Sequence, residues 1–385
     1  VRTNVLAFIS FLLLALNLRP AITAVGPLVG SIQEATGLSG AAVGLLSGLP
    51  LLAFAAFAPL ARFVRRIGLE RTLAIAMGML FAGTLLRSSG SITALFTGTV
   101  LLGAGIAVGN VLAPTIIKRD YPERVGSLTT IYALILALTA AISSGLAVPF
   151  EQALPGGWRS ALAVWAIPAA LAAILWAHAS LRPRPAAAPL ENTGRASVWR
   201  SPLAWYVTGF MGLQSLCFYV VVAWMPLVVQ DSGYDPAEGG LLLTGFQLVS
   251  VAAGAVLPHL LSLRDDQRWL AALSSLSITT GILGLLWHPA WTIVWIVIMG
   301  FGSGVCFPLA IAYIGLRSTD HHQAASLSLM AQSMGYLLAA FGPFLFGLAH
   351  DLSGGWTLPL WGLAACTLLQ AIMGYNGGRK ATVAS

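Results

Sequence analysis

Twelve long apolar runs, separated by short polar breaks, decide most of what this chain can become. They fall at 5–31, 40–62, 71–89, 92–117, 128–150, 160–180, 202–230, 240–262, 269–287, 291–315, 325–348 and 356–375. Each is close to or above the roughly 20 residues an α-helix needs to cross the hydrocarbon of a bilayer. In lipid every backbone donor and acceptor must be satisfied internally, so continuous apolar runs of this length are helices. Charged residues make up only 9% of the 385-residue chain, against about 25% in a soluble domain. The length alone would suggest two or three soluble domains, but the runs override that. The first run starts within a few residues of Val1 and carries no small-residue cleavage site, so it reads as a retained helix rather than a signal peptide.

The net charge of +7 is a topology signal. With both termini on one side of the membrane, that side holds 17 of the 20 Lys and Arg residues, including those at span ends. Arg62, Arg65, Arg66 and Arg71 lie there, as do Lys118, Arg119 and Arg124, then Arg182, Arg184, Arg195 and Arg200. Only Arg87 and Arg159 fall opposite, and Arg19 lies inside a run. The Lys- and Arg-rich side is the cytoplasmic one, so both termini are expected there. An even number of spans preserves the asymmetry. A basic surface for nucleic acid is excluded by this distribution, and contact with anionic lipid is a secondary consequence.

The longest polar interruption, 182–201, opens with Arg182-Pro183-Arg184-Pro185 and is expected to be an extended cytoplasmic linker. It separates an N-terminal six-helix bundle, 1–181, from a C-terminal one, 202–385. The two halves repeat. Pro27-Leu28-Val29 and the later Gly44-Leu45-Leu46-Ser47-Gly48 correspond to Pro226-Leu227-Val228 and Gly240-Leu241-Leu242-Leu243-Thr244-Gly245; Gly103-Ala104-Gly105 corresponds to Gly300-Phe301-Gly302. Parallel repeats of this kind are a transporter arrangement, with the substrate site near the bilayer midplane. Gly44 with Gly48, Gly105 with Gly109, and Gly300 with Gly304 form small-xxx-small pairs that let helix backbones approach closely.

Arg19 stands near the middle of the first run, in Leu16-Asn17-Leu18-Arg19-Pro20. A charge there costs about 2.5–3.5 kcal/mol on insertion scales, and intramembrane charges usually face a cavity and act in it. No Asp or Glu lies in the core of any run, so the simplest expected partner is a substrate anion; a structural lock on neighbouring backbone is the alternative. Pro20 removes a backbone donor and should free the Leu16 carbonyl, and Pro27 should do the same to Thr23. The first span is therefore expected to bend around Arg19. Other polar or aromatic side chains within the runs are Asn110, Tyr132, Gln214, Tyr219, Trp224, Gln247, Gln332 and Tyr336. Each could equally be interhelical glue. Together with Arg19 they would make a small polar chamber with aromatic walls, suited to a small planar or linear anion or to a neutral group with carboxylate-like oxygens.

Cys217, Cys306 and Cys366 are widely spaced in apolar runs and read as buried thiols, with no metal or disulfide pattern. His-Glu-x-x-His, Gly-x-Ser-x-Gly and Gly-Lys-Ser/Thr motifs are missing, so nothing proposes a nucleophile or a phosphate loop. No cofactor and no enzymatic activity are expected.

The twelve runs, central loop and duplicated halves resemble the major facilitator superfamily. Closer features are similar to its cyanate permease branch, which includes a 2-nitroimidazole transporter. These are Leu18-Arg19, Pro114-Thr115-Ile116-Ile117-Lys118-Arg119-Asp120-Tyr121-Pro122, Trp199-Arg200-Ser201-Pro202, Gly300-Phe301-Gly302-Ser303-Gly304 and Met330-Ala331-Gln332-Ser333-Met334-Gly335-Tyr336. The resemblance implies an all-α integral membrane fold of twelve helices in two pseudo-symmetric six-helix bundles. It also implies that spans 1, 4, 7 and 10 line the cavity, which favours Arg19, Asn110, Gln214 and Trp224. The chain departs from the superfamily's Gly-x-x-x-Asp-Arg-x-Gly-Arg-Arg loop: Ala61–Glu70 keeps Arg66 and Gly68, and Arg65 replaces the aspartate.

These observations predict a monomeric secondary transporter of the cytoplasmic membrane, working by alternating access on a small anionic or nitro-bearing molecule bound by Arg19. Proton coupling stays open beside facilitated diffusion and exchange. A multidrug exporter is the alternative within transport, and a membrane receptor or sensor the alternative outside it.

Overall fold

Lipid leaves the backbone no partner but itself, and the computed structural model answers with helices. It describes residues 5–57, 64–181, 198–263 and 266–383. Most of the expected linker and part of the Ala61–Glu70 loop lie outside the described residues. Twelve spans are long and apolar enough to cross a membrane: Val5–Thr36, Gly40–Phe57, Leu69–Arg87, Ile92–Asp120, Pro122–Ala153, Trp158–Ala179, Pro202–Gln230, Pro236–Ser262, Arg268–Trp287, Pro289–Leu316, His322–Ser353 and Thr357–Gly377. They are spans 1 to 12 below. Several helices overrun the apolar runs. Span 1 continues to Thr36 and span 4 to Asp120, because a helix does not stop where its side chains turn polar.

Local chemistry sets the ends. Span 1 stops at Gly37, which adopts φ 67° in the left-handed region that an L side chain rarely enters. At the start of span 8, Asp235 and Glu238 exchange backbone-to-carboxylate hydrogen bonds of 2.9 and 2.8 Å, a reciprocal capping box. Asp320 caps span 11 by accepting from the Gln323 N–H at 2.8 Å, and this bond holds its carboxyl below the ordinary carboxylate range.

The chain forms two compact units, Val1–Gly37 with Leu49–Leu190, and Leu38–Gly48 with Glu191–Ser385. In the first, span 3 packs on spans 4 and 6, and span 1 on spans 5 and 6. In the second, span 9 packs on spans 10 and 12, and span 7 on spans 11 and 12. The pairings repeat six spans apart, and so do the contacts that permit them. A Cβ on Gly105 would strike the Ala76 carbonyl oxygen and approach Leu80; one on Gly302 would strike the Ser274 carbonyl oxygen and approach Ile278. All three pairs are related by the offset of 197–198 residues. The small-xxx-small glycines therefore do what the sequence predicts: Gly304 lies on the Ser250 backbone, and Gly44 and Gly48 lie on the carbonyls of Pro343 and Ala340 within the second unit.

Span 1 is the irregular member. It is helical over Val5–Asn17, breaks, resumes for one turn at Pro20–Thr23, tightens to a 3-10 turn at Gly26–Leu28, and runs on as Val29–Thr36. Proline accounts for both interruptions. Pro20 and Pro27 lack the N–H groups that would continue the ladder.

Candidate functional site

The break in span 1 exposes backbone that a continuous helix would satisfy, and neighbouring helices collect it. Arg19 sits at this break, half-buried, about half-way along the span. Just before it, Asn17 donates from Nδ2 to the Leu13 carbonyl at 2.7 Å and to the Pro168 carbonyl of span 6 at 3.0 Å. Just after it, the Thr23 hydroxyl donates to the Arg19 carbonyl at 3.1 Å and shares a 2.6 Å hydrogen bond with Ser143 of span 5. The carbonyl of Thr23, released because Pro27 has no N–H, accepts from Ser144 Oγ at 3.2 Å.

Two of the predicted site residues bond each other in the first unit, within electrostatic reach of a third, Arg19. The Tyr132 hydroxyl of span 5 donates to Asn110 Oδ1 of span 4 at 3.1 Å. Arg19 acts electrostatically on the same hydroxyl. The Tyr132 ring is 6.2 Å from that of Phe11, centroid to centroid. The result is a guanidinium, a phenol and a carboxamide on three helices, backed by an aromatic face. Donors of this kind recognise oxygens, and the planar guanidinium can present two N–H groups to two oxygens at once.

The predicted residues of the second unit are more dispersed. Gln214 is buried and bonds locally, from Nε2 to Ser215 Oγ at 2.7 Å and to the Met211 carbonyl at 3.1 Å. Tyr219 is buried with its ring edge-on to Phe218. Gln247 is buried and donates to the Leu243 carbonyl one turn back. Gln332 is exposed and bonds Ser328 at 2.7 Å, while Tyr336, one turn on, is half-buried. Trp224 is 1% exposed. Its indole N–H donates to the Pro343 carbonyl at 2.9 Å, and its ring packs on Phe346 and Trp356. That is an anchoring position between spans 7 and 11.

One residue that the sequence reading counted only as a charge opposite the termini is turned into the fold. Arg87, the last residue of span 3, is 1% exposed and donates from Nη1 to the Ala21 carbonyl at 2.6 Å. The apolar run ends in Leu85-Leu86-Arg87-Ser88, and hydropathy does not distinguish an arginine leaving the fold from one turned into it. Cys217 and Cys306 are buried as expected, and Cys366 is half-buried. Among the described residues no cluster of three or more His, Cys, Asp or Glu side chains is arranged to hold a metal. A cavity of about 510 Å³ in the second unit is lined by Pro202, Trp205, Tyr206, Thr208, Gly209, Met334, Leu338 and Met373, and includes none of the predicted site residues.

Among the described residues, twelve helices long and apolar enough to cross a membrane, packed in two units with repeated pairings, are the architecture of a multi-pass membrane protein. The sequence profile of the Major Facilitator Superfamily matches residues 5–343 and 228–376, and the chain belongs to that superfamily of secondary transporters. It is 43% identical to the 2-nitroimidazole transporter of Escherichia coli (strain K12), over 98% of this chain and 96% of that protein. It is 28% identical to the cyanate transport protein CynX of the same organism, over 90% of each. Among solved structures, a bacterial homologue of the human lysosomal transporter Spinster superposes with a TM-score of 0.85 at 15% identity, covering 98% and 97% of the two chains; this likeness concerns the fold alone. The chain thus falls in the cyanate and nitroimidazole branch of the superfamily.

Proposed function

We propose that this protein moves a small anion or nitro-aromatic compound, cyanate-like or 2-nitroimidazole-like, across the cytoplasmic membrane by alternating access, with Arg19 as the substrate-binding cation and both termini cytoplasmic. The observation that carries the reading is a half-buried arginine at the break in span 1, within electrostatic reach of the Tyr132–Asn110 hydrogen bond that joins spans 5 and 4. A nitro group has two oxygens in one plane that share negative charge, as a carboxylate has, so one guanidinium fork fits both. With the Tyr132 O–H donated to Asn110 Oδ1, the Asn110 amide N–H2 is the further donor, and the half-buried Tyr132 ring, backed by the buried Phe11, offers a face to a planar heterocycle. A cation would be repelled by Arg19, which gives the site discrimination by charge as well as by fit. The named relatives support the substrate class.

The test is thermal stabilisation of the purified chain by 2-nitroimidazole, sodium cyanate and unrelated drugs, for wild type and Arg19→Ala. A ligand bound only to the folded state raises apparent stability by mass action. The reading expects 2-nitroimidazole or cyanate to stabilise wild type and not a folded Arg19→Ala. Equal stabilisation of both would remove Arg19 from the binding site.

A further inference from the structure

Arg87 is a buried arginine at the end of a candidate membrane span, and its surroundings differ from those of an ordinary ion pair. The side chain is 1% exposed. Its Nη1 donates to the Ala21 carbonyl at 2.6 Å, while Nε and Nη2 are buried without a hydrogen-bond partner among the described residues. A buried charge costs several kcal/mol unless its partners repay it. Sequences that keep such a group break a local rule, and such breaks concentrate at functional sites.

The one bond it makes is at an informative place. In an unbroken helix the Ala21 carbonyl would accept from the Val25 N–H four residues on. Here the Val25 N–H turns to the Ile22 carbonyl instead, at 3.4 Å, and Ala21 is released. The released oxygen is two residues from Arg19, on the single helical turn Pro20–Thr23 that follows it. The next released carbonyl, Thr23, is taken by Ser144. This short turn is thus held from two sides, by the guanidinium of span 3 and the hydroxyl of span 5. A four-residue helix between two interruptions has little stability of its own, since helix nucleation is unfavourable.

We propose that Arg87 is a positioning residue for substrate binding: by clamping the Ala21 carbonyl it fixes the turn Pro20–Thr23 and so sets the direction in which Arg19 presents its guanidinium. The proposal rests on the reading of Arg19 as the substrate cation. It assigns Arg87 no contact with substrate. A misdirected guanidinium loses the paired geometry a fork needs, so affinity falls even though Arg19 and its charge remain.

The experiment is titration of the purified chain with 2-nitroimidazole, in wild type, Arg19→Ala, Arg19→Lys, Arg87→Met, Arg87→Lys and the double variant Arg19→Lys/Arg87→Met, with unfolding midpoints recorded alongside. Arg87→Met is expected to weaken binding about tenfold, equivalent to about 1.4 kcal/mol. Arg87→Lys, which keeps a charged donor, should recover most of that loss. In the Arg19→Lys background, where the fork is already gone, adding Arg87→Met should cost clearly less than tenfold. An Arg87→Met chain with a lowered unfolding midpoint but wild-type affinity overturns the proposal, because a purely structural clamp gives that result. If Arg87→Met does not fold, Arg87→Gln replaces it, with the same two outcomes. The two readings separate cleanly. Wild-type affinity in Arg19→Ala removes the Arg19 reading and this proposal with it; lost binding in Arg19→Ala beside wild-type affinity at Arg87→Met removes this proposal alone.

Discussion

Trp224 offers a sharp separation between packing and binding. Its ring is 1% exposed, lies against Phe346 and Trp356, and donates its indole N–H to the Pro343 carbonyl at 2.9 Å. Pro343 lies inside span 11. Replacing Trp224 by Phe keeps most of the ring volume and removes the donor. A buried hydrogen bond contributes about 0.5–1.5 kcal/mol net, and a carbonyl left unsatisfied raises the cost toward about 1–3 kcal/mol. Trp224→Phe should therefore destabilise by about 1–2 kcal/mol. In a unit of this size about 1 kcal/mol moves the midpoint by roughly 2–4 °C, so a fall of about 2–8 °C is expected. Trp224→Ala removes the packed ring as well, and large-to-small changes of that kind cost about 3–5 kcal/mol. The assay is thermal unfolding in detergent at one scan rate, with 2-nitroimidazole titrated into each variant well below its midpoint. Affinity of the folded protein should not change in Trp224→Phe. An unchanged midpoint with weakened binding would refute the packing argument and return the ring to the substrate site.

Two other perturbations test the fold account. Gly105→Ala and Gly302→Ala should each destabilise by about 1–3 kcal/mol, because the new Cβ meets the fixed carbonyls of Ala76 and Ser274; Gly78→Ala, with open space around it, should hold or gain about 0.5–1 kcal/mol through helix propensity, and unfolding midpoints of the three variants decide it. Asp320 has its carboxyl held below the ordinary range by the Gln323 N–H, so its cap is complete at neutral pH and is lost as the pH falls through the depressed folded value; amide exchange at Gln323 should accelerate in that acid window for wild type and show no such step in Asp320→Asn.

Much of the architecture was legible because it follows from a strong constraint. A bilayer demands long apolar helices, so the number of spans and their order could be read from hydropathy, and the duplication from glycines whose spacing recurs in the contacts of Gly105 and Gly302. Span ends were less legible, since Thr36 and Asp120 are polar and still helical. The site was legible in part. A charge followed by proline pointed to Arg19 and to a broken span 1, which the structure has. The pairing of Asn110 with Tyr132 joins two helices and leaves no periodic trace along the chain. Trp224 and Gln214 lie on the spans expected, and their hydrogen bonds to Pro343 and Ser215 could not be read from the chain, because the face a residue presents is decided by the neighbouring helix. Arg87, near the end of the run 71–89, could be read from the sequence only as a topological charge; the third dimension adds that it turns toward the Ala21 carbonyl.

The most direct test of the central claim is uptake of labelled 2-nitroimidazole into lipid vesicles containing the purified chain, compared for wild type, Arg19→Lys and Arg19→Ala at equal folded protein. Saturable uptake by wild type, weakened in Arg19→Lys because a point charge replaces the planar fork and reduced in Arg19→Ala to the level of protein-free vesicles, is the predicted result. Wild-type uptake in Arg19→Ala would contradict the assignment of Arg19 as the substrate-binding cation.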